Sequence, residues 1–361
     1  MTEKIRIDSR KLFNFAKQVM KKSGCSDSEA EEVATVLVEA DLRGIHSHGV
    51  ARLKRYVDHI NTGIIKPKAE PQLINETPLG VVYDGNGGVG QHVSMLAMNR
   101  CIEKAGSYGV GFCSVKNSNH FGIAGYYAEM ASKKGYIGIA LTNTAPLVVP
   151  TFSKEPVLGT NPISVAIPMN NNTFLLDMAT SVVPRGKLEV YNRLSKTLPQ
   201  GWAVNSDGLP TSDPSEALVS LSNRSGGLLP LGGAEELFGG HKGYGLSLLV
   251  ELLTAGLSLG KYSKETYNQR GEICHFFGAI NLEIFGDKNS IIKRISEIVK
   301  SVINSKKAKG SFKVYYHGEK EYIKRHKSLN EGIELDFPTI ESLDILADKC
   351  GLNKLVREVA R

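Results

Sequence analysis

The segment from Pro67 to Pro168 limits the fold of this chain more than any other part of the sequence. Short runs rich in β-branched and aromatic residues fill it, and Gly, Asn or Pro separates them. The runs are PLGVVYD, VGFCSVKN, YIGIALTN and ISVAIP, and TFLLDMA follows shortly after them. Two helical segments, QHVSMLAMNRCIEKA and AGYYAEMASKK, interrupt the runs at irregular intervals. Because regular alternation of strands and helices gives a parallel sheet, this irregular order predicts a mixed α and β fold without a clean series of β-α-β units.

Helical patterns precede and follow this β-rich segment. Apolar residues recur at helical spacing over Ser9 to Lys22, and a capping box at Ser26 to Glu29 begins a second helix that runs out at Gly44. Further helices are predicted for VARLKRYVDHINTG, HKGYGLSLLVELL, SIIKRISEIVKSVINSKK and the end of the chain from Thr339. The Gly-, Ser- and Pro-rich stretch from Gly201 predicts a long surface loop, and SFKVYYHGE predicts a strand. Since 361 residues exceed what one core usually holds, two or three subdomains are expected.

Composition argues against several classes of protein. No run of about 18 uncharged apolar residues is present, and the N-terminus is charged, so a soluble cytoplasmic protein without a membrane partner is expected. The five cysteines are spread without a C-x-x-C pair, which indicates neither a disulfide framework nor a zinc site. The net charge of +7 comes without a nucleic-acid-binding motif. We interpret it as a solvated basic face, with a basic nucleic-acid-binding protein as the alternative.

The stretch VVYDGNGGVG contains a G-x-G-x-x-G pattern between an apolar run and a helical segment. In a Rossmann fold this pattern holds a dinucleotide, and an acidic residue about 20 positions later ends the next strand and binds the ribose. Here the next strand, GFCSVKN, ends in Lys116-Asn117, and three helices precede the motif. We therefore interpret these glycines as a tight strand-to-helix turn, with a dinucleotide site as the alternative.

A first cluster of reactive side chains lies in the stretch IHSHGVARLKRY. It holds His46, Ser47, His48, Arg52 and Tyr56, and the last two are four residues apart, so they share one face of a helix. Imidazole, hydroxyl, guanidinium and phenol groups would then converge at one helix entrance. Arginine pairs with a carboxylate and histidine exchanges a proton with a neighbouring oxygen, which is what a 2-oxo acid needs. The alternative is an exposed polar turn beside a solvated helix face.

Further clusters follow along the chain. NSNHFGIA ends a strand and leads into a helix, where backbone N–H groups favour an anion, and the alternative for His120 is a capping or core-edge histidine. Together with His46 and His48, the same residue would complete the metal site of a hydrolase. Asp177 in LDMATS ends an apolar strand and either lines a cofactor groove or caps the strand end. Lys242 in GGHKGYG suits a phosphate at a helix entrance.

Taken together, these clusters resemble the malate/L-lactate dehydrogenase family, which includes ureidoglycolate, sulfolactate, diketogulonate and piperideine-carboxylate oxidoreductases. The matching pieces are RGIHSHGVARLKRY, DGNGGVGQ, NSNHFGIAGYYA, LGTNPISVAIP, LDMATSVVPRGK, GWAVNSDGLPTSDPSEAL, LLPLGG, GGHKGYGLSLLVELL and YHGE, in the family's order over nearly the whole chain. The resemblance implies an NAD(P)-dependent oxidoreductase that transfers a hydride between nicotinamide and a 2-oxo or 2-hydroxy acid. Malate and oxaloacetate are the first expectation, and sulfolactate, lactate or ureidoglycolate are alternatives within the family.

The resemblance also implies the architecture. It is an α+β fold in which a non-Rossmann cofactor domain has a large mixed, mainly antiparallel sheet, and a mostly helical domain is built from N- and C-terminal segments. We expect the helical substrate and dimerisation domain over residues 1–75 and about 320–361. The nicotinamide-nucleotide-binding domain is expected over residues 76–319, with a subdomain at 190–240. Family members are homodimers or larger, so a homo-oligomer is expected.

Roles for single residues follow from the same resemblance. The expected acid–base group is His48, with Ser47 beside it and His120 as a second candidate. The expected substrate contacts are Arg52, Tyr56, Thr160, Arg185 and Lys187. The expected contacts to NAD or NADP are His120, Phe121, Gly122, Ile123, Ala124, Thr144, Asp177, Met178, Ala179, Thr180, His241, Lys242, Gly318 and Glu319. No metal is expected.

Two features depart from the family's pattern or extend it. His317 stands where the family usually has a proline before Gly-Glu, and AEELF occupies the turn between LLPLGG and GGHKGYG, as in some relatives only.

A dicarboxylate substrate would need a second cation besides Arg52. The candidates, which the sequence alone does not locate in space, are Arg43, Lys54, Arg55 and Lys187.

Overall fold

The computed structural model describes residues 4–266 and 271–356. Its helices are α1 (Ser9–Lys22), α2 (Asp27–Leu42), α3 (Leu53–Asn61), α4 (Gly90–Tyr108), α5 (Ala124–Ser132), α6 (Arg185–Arg193), α7 (Pro214–Ser222), α8 (Gly240–Glu251), α9 (Lys288–Ile303), α10 (Glu319–Glu331) and α11 (Phe337–Cys350). Its strands are β1 (Lys4–Ile7), β2 (Gln72–Glu76), β3 (Gly80–Asp84), β4 (Val110–Ser118), β5 (Tyr136–Thr142), β6 (Ile163–Pro168), β7 (Thr173–Met178), β8 (Ala203–Val204), β9 (Gly227–Leu228), β10 (Ile273–Asn281) and β11 (Ile333–Asp336). Among the described residues no helix is both long and apolar enough to cross a bilayer.

A seven-stranded sheet forms the centre of the fold, in the order β2-β3-β4-β10-β5-β6-β7. Strands β3 and β4 are parallel and α4 connects them, whereas every other neighbouring pair in this sheet is antiparallel. The prediction of an α+β fold with a large mixed, mainly antiparallel sheet is confirmed.

Strand direction brings distant parts of the chain to one end of this sheet. Strands β4 and β5 run the same way on either side of the antiparallel β10, so both finish at this end. Strand β6 begins there and β7 finishes there, because Leu141 of β5 pairs with Ile163 of β6, which pairs with Met178 of β7. The segments that follow β4, β5 and β7 and the segment that precedes β6 therefore lie side by side.

Local sequence signals set the start of several helices. Ser26 accepts a hydrogen bond from the Glu29 backbone, and the Glu29 carboxylate accepts one from the Ser26 backbone, so the predicted capping box is confirmed. The helix over Ser9–Lys22 is also confirmed. At the other end of the chain Asp336 caps α11 by accepting from the Thr339 backbone N–H, close to the predicted start.

Two predictions of local structure are wrong. SFKVYYHGE forms no strand; residues 311–316 lack regular structure, and the segment joins β7 through a single bond from Leu175 N to His317 O at 3.0 Å. The stretch from Gly201 is not one long loop, because it contains β8, α7 and β9. Asp213 begins α7 by accepting from the Ser215 and Glu216 N–H groups. The sequence analysis did not predict β1, β2, α6, α10, β10 and β11.

Three large clusters of buried apolar side chains, besides a small one at Val149, Val204 and Leu229, lie in different parts of the molecule. One joins α1, α2 and α3 to α11 and to the β1–β11 pair, in which Lys4 pairs with Asp336. A second packs α4 and α5 on the large sheet, and a third lies around α6, α7, β8 and β9. The boundaries 1–75 with 320–361, 76–319 and 190–240 stay predictions. Residues 1–3, 267–270 and 357–361 of those ranges lie outside the described residues.

Candidate active site

The turn that carries His48 is held by one buried carboxylate. Asp41, near the end of α2, accepts hydrogen bonds from His46 Nδ1 at 2.9 Å and from the Val50 backbone N–H at 2.8 Å. A Cβ at Gly49 would lie only 2.1 Å from Asp41 Oδ1. Glycine at this position lets the turn fold closely over the carboxylate. His46 therefore serves the turn and not the group of side chains around His48.

Ser47, His48 and Arg52 form a connected group. Ser47 Oγ lies 3.0 Å from His48 Nδ1, and Arg52 Nε donates to the Ser47 carbonyl oxygen at 2.6 Å. Within the described residues, the terminal nitrogens of Arg52 make no hydrogen bond or ion pair. The guanidinium is thus fixed in position and keeps two nitrogens for a planar anion.

His120 lies directly against His48, with the ring centroids 5.5 Å apart and the planes inclined by 19°. Gln91 Nε2 donates to Tyr56 Oη at 3.0 Å, and Tyr56 Oη lies 2.7 Å from His120 Nδ1. Since the phenol oxygen accepts from Gln91, its own proton is available for His120 Nδ1. The Gly122 backbone N–H also approaches Nδ1, at 3.4 Å. The neutral His120 therefore carries its proton on Nε2.

Both imidazoles are held neutral near pH 7. Burial, followed by the charges of Arg52 and Arg55, lowers the pKa of His48 to about 4. Burial also lowers the pKa of His120 well below its ordinary value, and His48 and the two arginines add to this. Burial raises the pKa of Tyr56 to about 12, so the phenol keeps its proton. The group thus combines two neutral imidazoles with fixed positive charge.

The glycine-rich turn after β3 packs against the segment that carries His120. Asn119 Nδ2 donates to the carbonyl oxygens of Gly87 and Gly88, at 2.8 Å each. A Cβ at Gly90 would lie 2.4 Å from the Asn119 carbonyl oxygen and 2.5 Å from that of His120. Gly87 has a φ of +73°, which side chains disfavour. These contacts explain the glycines as a tight strand-to-helix turn that supports the His120 segment.

Behind His120, an aromatic stack ties the same segment to the centre of the sheet. Phe121 stacks on His275 of β10 with ring centroids 4.6 Å apart and planes inclined by 4°. His275 Nδ1 lies 2.8 Å from Thr142 Oγ1, and Tyr127 Oη donates to the Phe121 carbonyl oxygen at 2.6 Å. The position of His120 is therefore set by contacts on several sides of its segment.

A second group, made of threonines, lies at the same end of the sheet. The Thr160 N–H donates to Thr144 Oγ1 at 3.0 Å, and the Thr180 N–H donates to the Thr160 carbonyl oxygen at 2.9 Å. Asn161 follows with a φ of +35° and donates to the buried carboxylate of Glu251 at 2.9 Å. The structure thus brings together three predicted site residues that lie far apart in the sequence.

Asp177 occupies the N-terminus of α5. Its Oδ2 accepts from the Gly125 N–H at 2.8 Å, and a Cβ at Gly125 would lie 2.6 Å from the same oxygen. Burial raises the pKa of this carboxyl group to about 6. The anion at this part of the helix terminus is therefore the protein's own carboxylate, and the predicted contact of Asp177 with a cofactor stays a prediction.

A cavity of about 280 Å³ lies beside this carboxylate. Ile123, Asp177 and Gly318 line it together with Arg43. The Arg43 side chain is only 2% exposed, and its Nη2 donates to Glu129 at 2.6 Å. Its Nε and Nη1 are buried and have no hydrogen-bond partner in the described part of the chain. An arginine with two unpartnered nitrogens therefore lies in the cavity wall close to a carboxyl group.

The His317 segment forms one wall of the cavity. Gly318 has a φ of +93°, and a Cβ there would lie 2.9 Å from Leu175 Cβ. The Leu175 N–H donates to the backbone oxygen of His317, a contact that does not depend on the side chain, and the His317 ring lies against Phe174 with centroids 5.7 Å apart. Glu319 pairs with Lys313 and does not line the cavity.

Arg185 and Lys187 lie in the first turn of α6. Both are exposed, and Arg185 Nε donates to Glu189 at 2.9 Å. Neither side chain has a described hydrogen bond or ion pair with the group around His48. Their expected contact with the substrate stays a prediction.

His241 and Lys242 are exposed in the first turn of α8. This helix begins close to the threonine group, because the Leu231 N–H donates to the Thr180 carbonyl oxygen at 2.9 Å and Gly243 packs on the backbone of Leu231. His241 and Lys242 therefore lie near the threonine group, which is also predicted to contact the cofactor. Their own contact with a cofactor stays a prediction.

Sequence reasoning missed several residues that organise the site. Asp41, Gln91 and His275 were not singled out, although Gln91 directly follows the glycine-rich turn and its place in that motif was an available signal. Arg55 was only one of four candidate cations. Within residues 4–266 and 271–356, no group of three or more His, Cys, Asp or Glu side chains has the arrangement of a metal site.

Known proteins of similar sequence and structure identify the family. A family model described as malate/L-lactate dehydrogenase matches residues 7–344. The malate dehydrogenase of Pyrococcus abyssi is 46% identical over 354 residues, which cover 97% of this chain and 96% of that protein. The L-sulfolactate dehydrogenase of Methanocaldococcus jannaschii is 40% identical over 340 residues, 93% of this chain and 94% of that protein. The crystal structure of malate dehydrogenase from Entamoeba histolytica matches with a TM-score of 0.93 and 38% identity, over 97% of this chain and 99% of that one. The resemblance seen in the sequence is confirmed, and the chain belongs to the malate/L-lactate dehydrogenase family.

Proposed function

We propose that this enzyme reduces oxaloacetate and oxidises malate with NAD or NADP. The observation that carries the proposal is the stacked pair His48 and His120 beside Arg52, at the end of the sheet where the group of Thr144, Thr160 and Thr180 also lies. The relatives named malate dehydrogenase support the choice of substrate. The sulfolactate-dehydrogenase relative makes the chemically similar sulfonate acid the second candidate.

His48 is the group that exchanges the proton with the substrate oxygen. When malate is oxidised, the neutral His48 accepts the proton of the hydroxyl group, and when oxaloacetate is reduced, the protonated form returns it. The pKa of His48 is about 4 in the free enzyme because burial and two arginine charges oppose protonation. A bound carboxylate beside Arg52 offsets that positive charge, so substrate binding itself raises the proton affinity of the imidazole.

Arg52 and His120 orient the substrate. Arg52 is anchored through Nε on the Ser47 carbonyl oxygen and binds the carboxylate next to the reacting carbon with its terminal nitrogens. His120, fixed through Nδ1 by Tyr56, presents its Nε2–H to an oxygen of the substrate. Ser47 Oγ holds the ring of His48 in place through Nδ1.

The residues fit a nicotinamide nucleotide. The 280 Å³ cavity has two unpartnered nitrogens of Arg43 and the Asp177 carboxyl group in or near its wall, which suits a polar, anionic ligand with hydroxyl groups. Asp177, Gly318 and the Ile123–Ala124 backbone would hold it, with the threonine group at Thr160 and Thr180 nearby. When bound, the nicotinamide supplies or accepts the hydride. NAD and NADP both remain candidates, and the cytoplasmic location stays a prediction.

A spectrophotometric panel at 340 nm tests the proposal. Oxaloacetate, pyruvate, 2-oxoglutarate and sulfopyruvate are each mixed with the enzyme and NADH or NADPH. We expect the highest kcat/KM for oxaloacetate. A higher kcat/KM for sulfopyruvate would make sulfopyruvate the substrate in place of oxaloacetate. If neither NADH nor NADPH were oxidised with any of the four acids, the proposed reaction would be overturned.

We also propose that the enzyme is a homodimer or larger assembly formed through α8 and the turns that follow it. Leu249, Leu252 and Leu259 are 45%, 58% and 87% exposed. Gly245, Leu246, Leu248, Gly256 and Leu257 are exposed as well, and none of these residues is charged. A second copy of the same face can therefore pack on it without burying a charge.

Light scattering after size-exclusion chromatography measures the assembly. The wild type is expected at twice the 39.3 kDa chain mass or more. Leu252→Lys should shift it to the monomer, whereas Leu194→Lys, which changes a similarly exposed leucine at the end of α6, should not. A monomeric wild type would contradict the proposal.

A further inference from the structure

Of the four cations that could bind a second acidic group of the substrate, two are paired with carboxylates of the protein and a third lies on α6. Arg43 is buried and paired with Glu129 at 2.6 Å. Lys54 is paired with Asp58 at 2.6 Å along α3. Lys187 is exposed on α6. None of these three side chains has a described contact with the pair His48 and His120.

Arg55 is the remaining candidate, and its position fits. It follows Arg52 by three residues and precedes Tyr56, so these three side chains form one patch at the start of α3. Tyr56 is bonded to His120, and Arg52 is bonded to the Ser47 carbonyl oxygen beside His48. Neighbours at this spacing have Cβ atoms about 5–6 Å apart, so the two long side chains can reach the two ends of one small ligand.

Arg55 has no acidic partner among the described residues. The side chain is exposed and takes part in no described hydrogen bond or ion pair. Partial burial and the Arg52 charge hold its pKa below the ordinary value of arginine, and no carboxylate raises it. Arg55 and Arg52 also both lower the pKa of His48, which again has no carboxylate among the causes of its shift. Two positive charges therefore face the histidine pair without internal compensation.

We propose that Arg55 binds the second acidic group of the substrate, and that the pair Arg52 and Arg55 makes the site selective for dianionic 2-oxo acids over monocarboxylates. The assignment rests on the proposed function and extends it to the substrate class. The first carboxylate lies on Arg52, next to the reacting carbon, and the distal carboxylate or sulfonate lies on Arg55. Such a pair leaves the site repulsive to cations and poorly matched to an acid with one charge.

The test compares kcat/KM for oxaloacetate and pyruvate in Arg55→Gln, Arg55→Lys and the wild type. In Arg55→Gln we expect kcat/KM for oxaloacetate to fall on the order of 10–100-fold, mainly through KM, because a charged hydrogen bond is lost. The value for pyruvate should change little. Arg55→Lys keeps the charge without the planar fork, so its loss should be intermediate.

Two control variants define the result. Lys54→Gln removes a neighbouring positive charge that is paired with Asp58, and it should leave the ratio of the two acids unchanged. Arg52→Gln should lower kcat/KM for both acids, since it binds the carboxylate that they share. Cofactor affinity and the thermal unfolding midpoint show whether each variant is folded; if Arg55→Gln is not, Arg55→Lys decides alone.

The outcomes separate the two proposals. An equal loss for oxaloacetate and pyruvate in the Arg55 variants, or no loss for either, would overturn the role of Arg55 while the dehydrogenase remains. If the wild type reduced neither acid nor sulfopyruvate, the proposed function would be overturned and this assignment with it. A loss confined to the dianionic acids supports the assignment.

Discussion

Two arginine-containing regions of this molecule differ in whether carboxylates of the protein neutralise their positive charge. Arg43 is buried beside Glu129, with Tyr322 Oη donating to the same carboxylate at 2.8 Å and Glu39 3.5 Å away. Arg52 and Arg55, in contrast, face two neutral histidines with no carboxylate partner among the described residues. The first region is balanced within the protein and holds the fold together. The second keeps its positive charge available for an anionic ligand.

The largest expected effect lies in the unbalanced region. Replacing His48 by Ala removes the proton-exchanging group, so kcat should fall by about 10²–10⁴-fold while cofactor affinity is preserved. Steady-state kinetics and fluorescence titration with NADH or NADPH measure the two quantities. His326→Ala, an exposed histidine on α10, is the control. Near-normal turnover in His48→Ala would exclude His48 from the chemistry and leave His120 as the acid–base group.

In the balanced region, a substitution should lower the free energy of unfolding. Glu129→Ala leaves the buried Arg43 with its partner removed, which costs about 3–5 kcal/mol of the free energy of unfolding. Urea unfolding measures this value. The control is Glu297→Ala, which breaks an exposed pair with Arg294 and should cost less than about 1 kcal/mol. If both variants lost the same free energy of unfolding, burial of the pair Arg43 and Glu129 would not make its loss more costly than the loss of an exposed pair.

Proton titration separates the regions on a smaller scale. Burial and the arginines lower the pKa of His48 to about 4, so this imidazole should stay neutral until the pH falls towards 4. His92 is a contrasting internal reference, because its hydrogen bond with Glu32 raises its pKa. NMR titration of the imidazole protons, assigned with His48→Ala and His92→Ala, measures both. In Arg55→Gln the pKa of His48 should rise, and an unchanged value would show that Arg55 does not act on the site.

The smallest effect is expected for the stability of Arg55→Gln. Because this substitution removes a positive charge that repels Arg52, the unfolding midpoint should be unchanged or slightly higher. Scanning calorimetry of the unliganded enzyme measures it. A clear decrease would reveal a structural partner for Arg55 and would weaken the contrast between the two regions.

The sequence predicted those strands whose apolar runs stand between clear turn signals. Strand β10 was missed although it is central, because a strand buried on both faces does not alternate, and ICHFFGAIN mixes small, polar and aromatic residues. The segment before Gly318 looked like a strand because of its aromatic residues, yet only one backbone bond joins it to β7. In both segments, pairing with neighbouring strands, and not the strand preference of the local sequence, determines whether a strand forms.

The candidate site shows the same limit. The motifs of His48 and His120 could be recognised singly, but 72 positions separate them, and their stacking depends on how α3 meets the end of β4. Arg43 and Arg55 were equivalent as candidates in the sequence. Their difference arises from Glu129 on α5, whose position depends on the packing of α5 against α4 and the sheet.

The late position of β10 has a consequence for synthesis of the chain. Strands β4 and β5 end by residue 142, but the strand that lies between them begins only at Ile273. Until that segment leaves the ribosome, the sheet has an open slot with two unpaired edges, and the β1–β11 pair must wait still longer. The active-site end of the sheet therefore closes late, so we expect slow folding and a period in which the nascent chain is prone to aggregation.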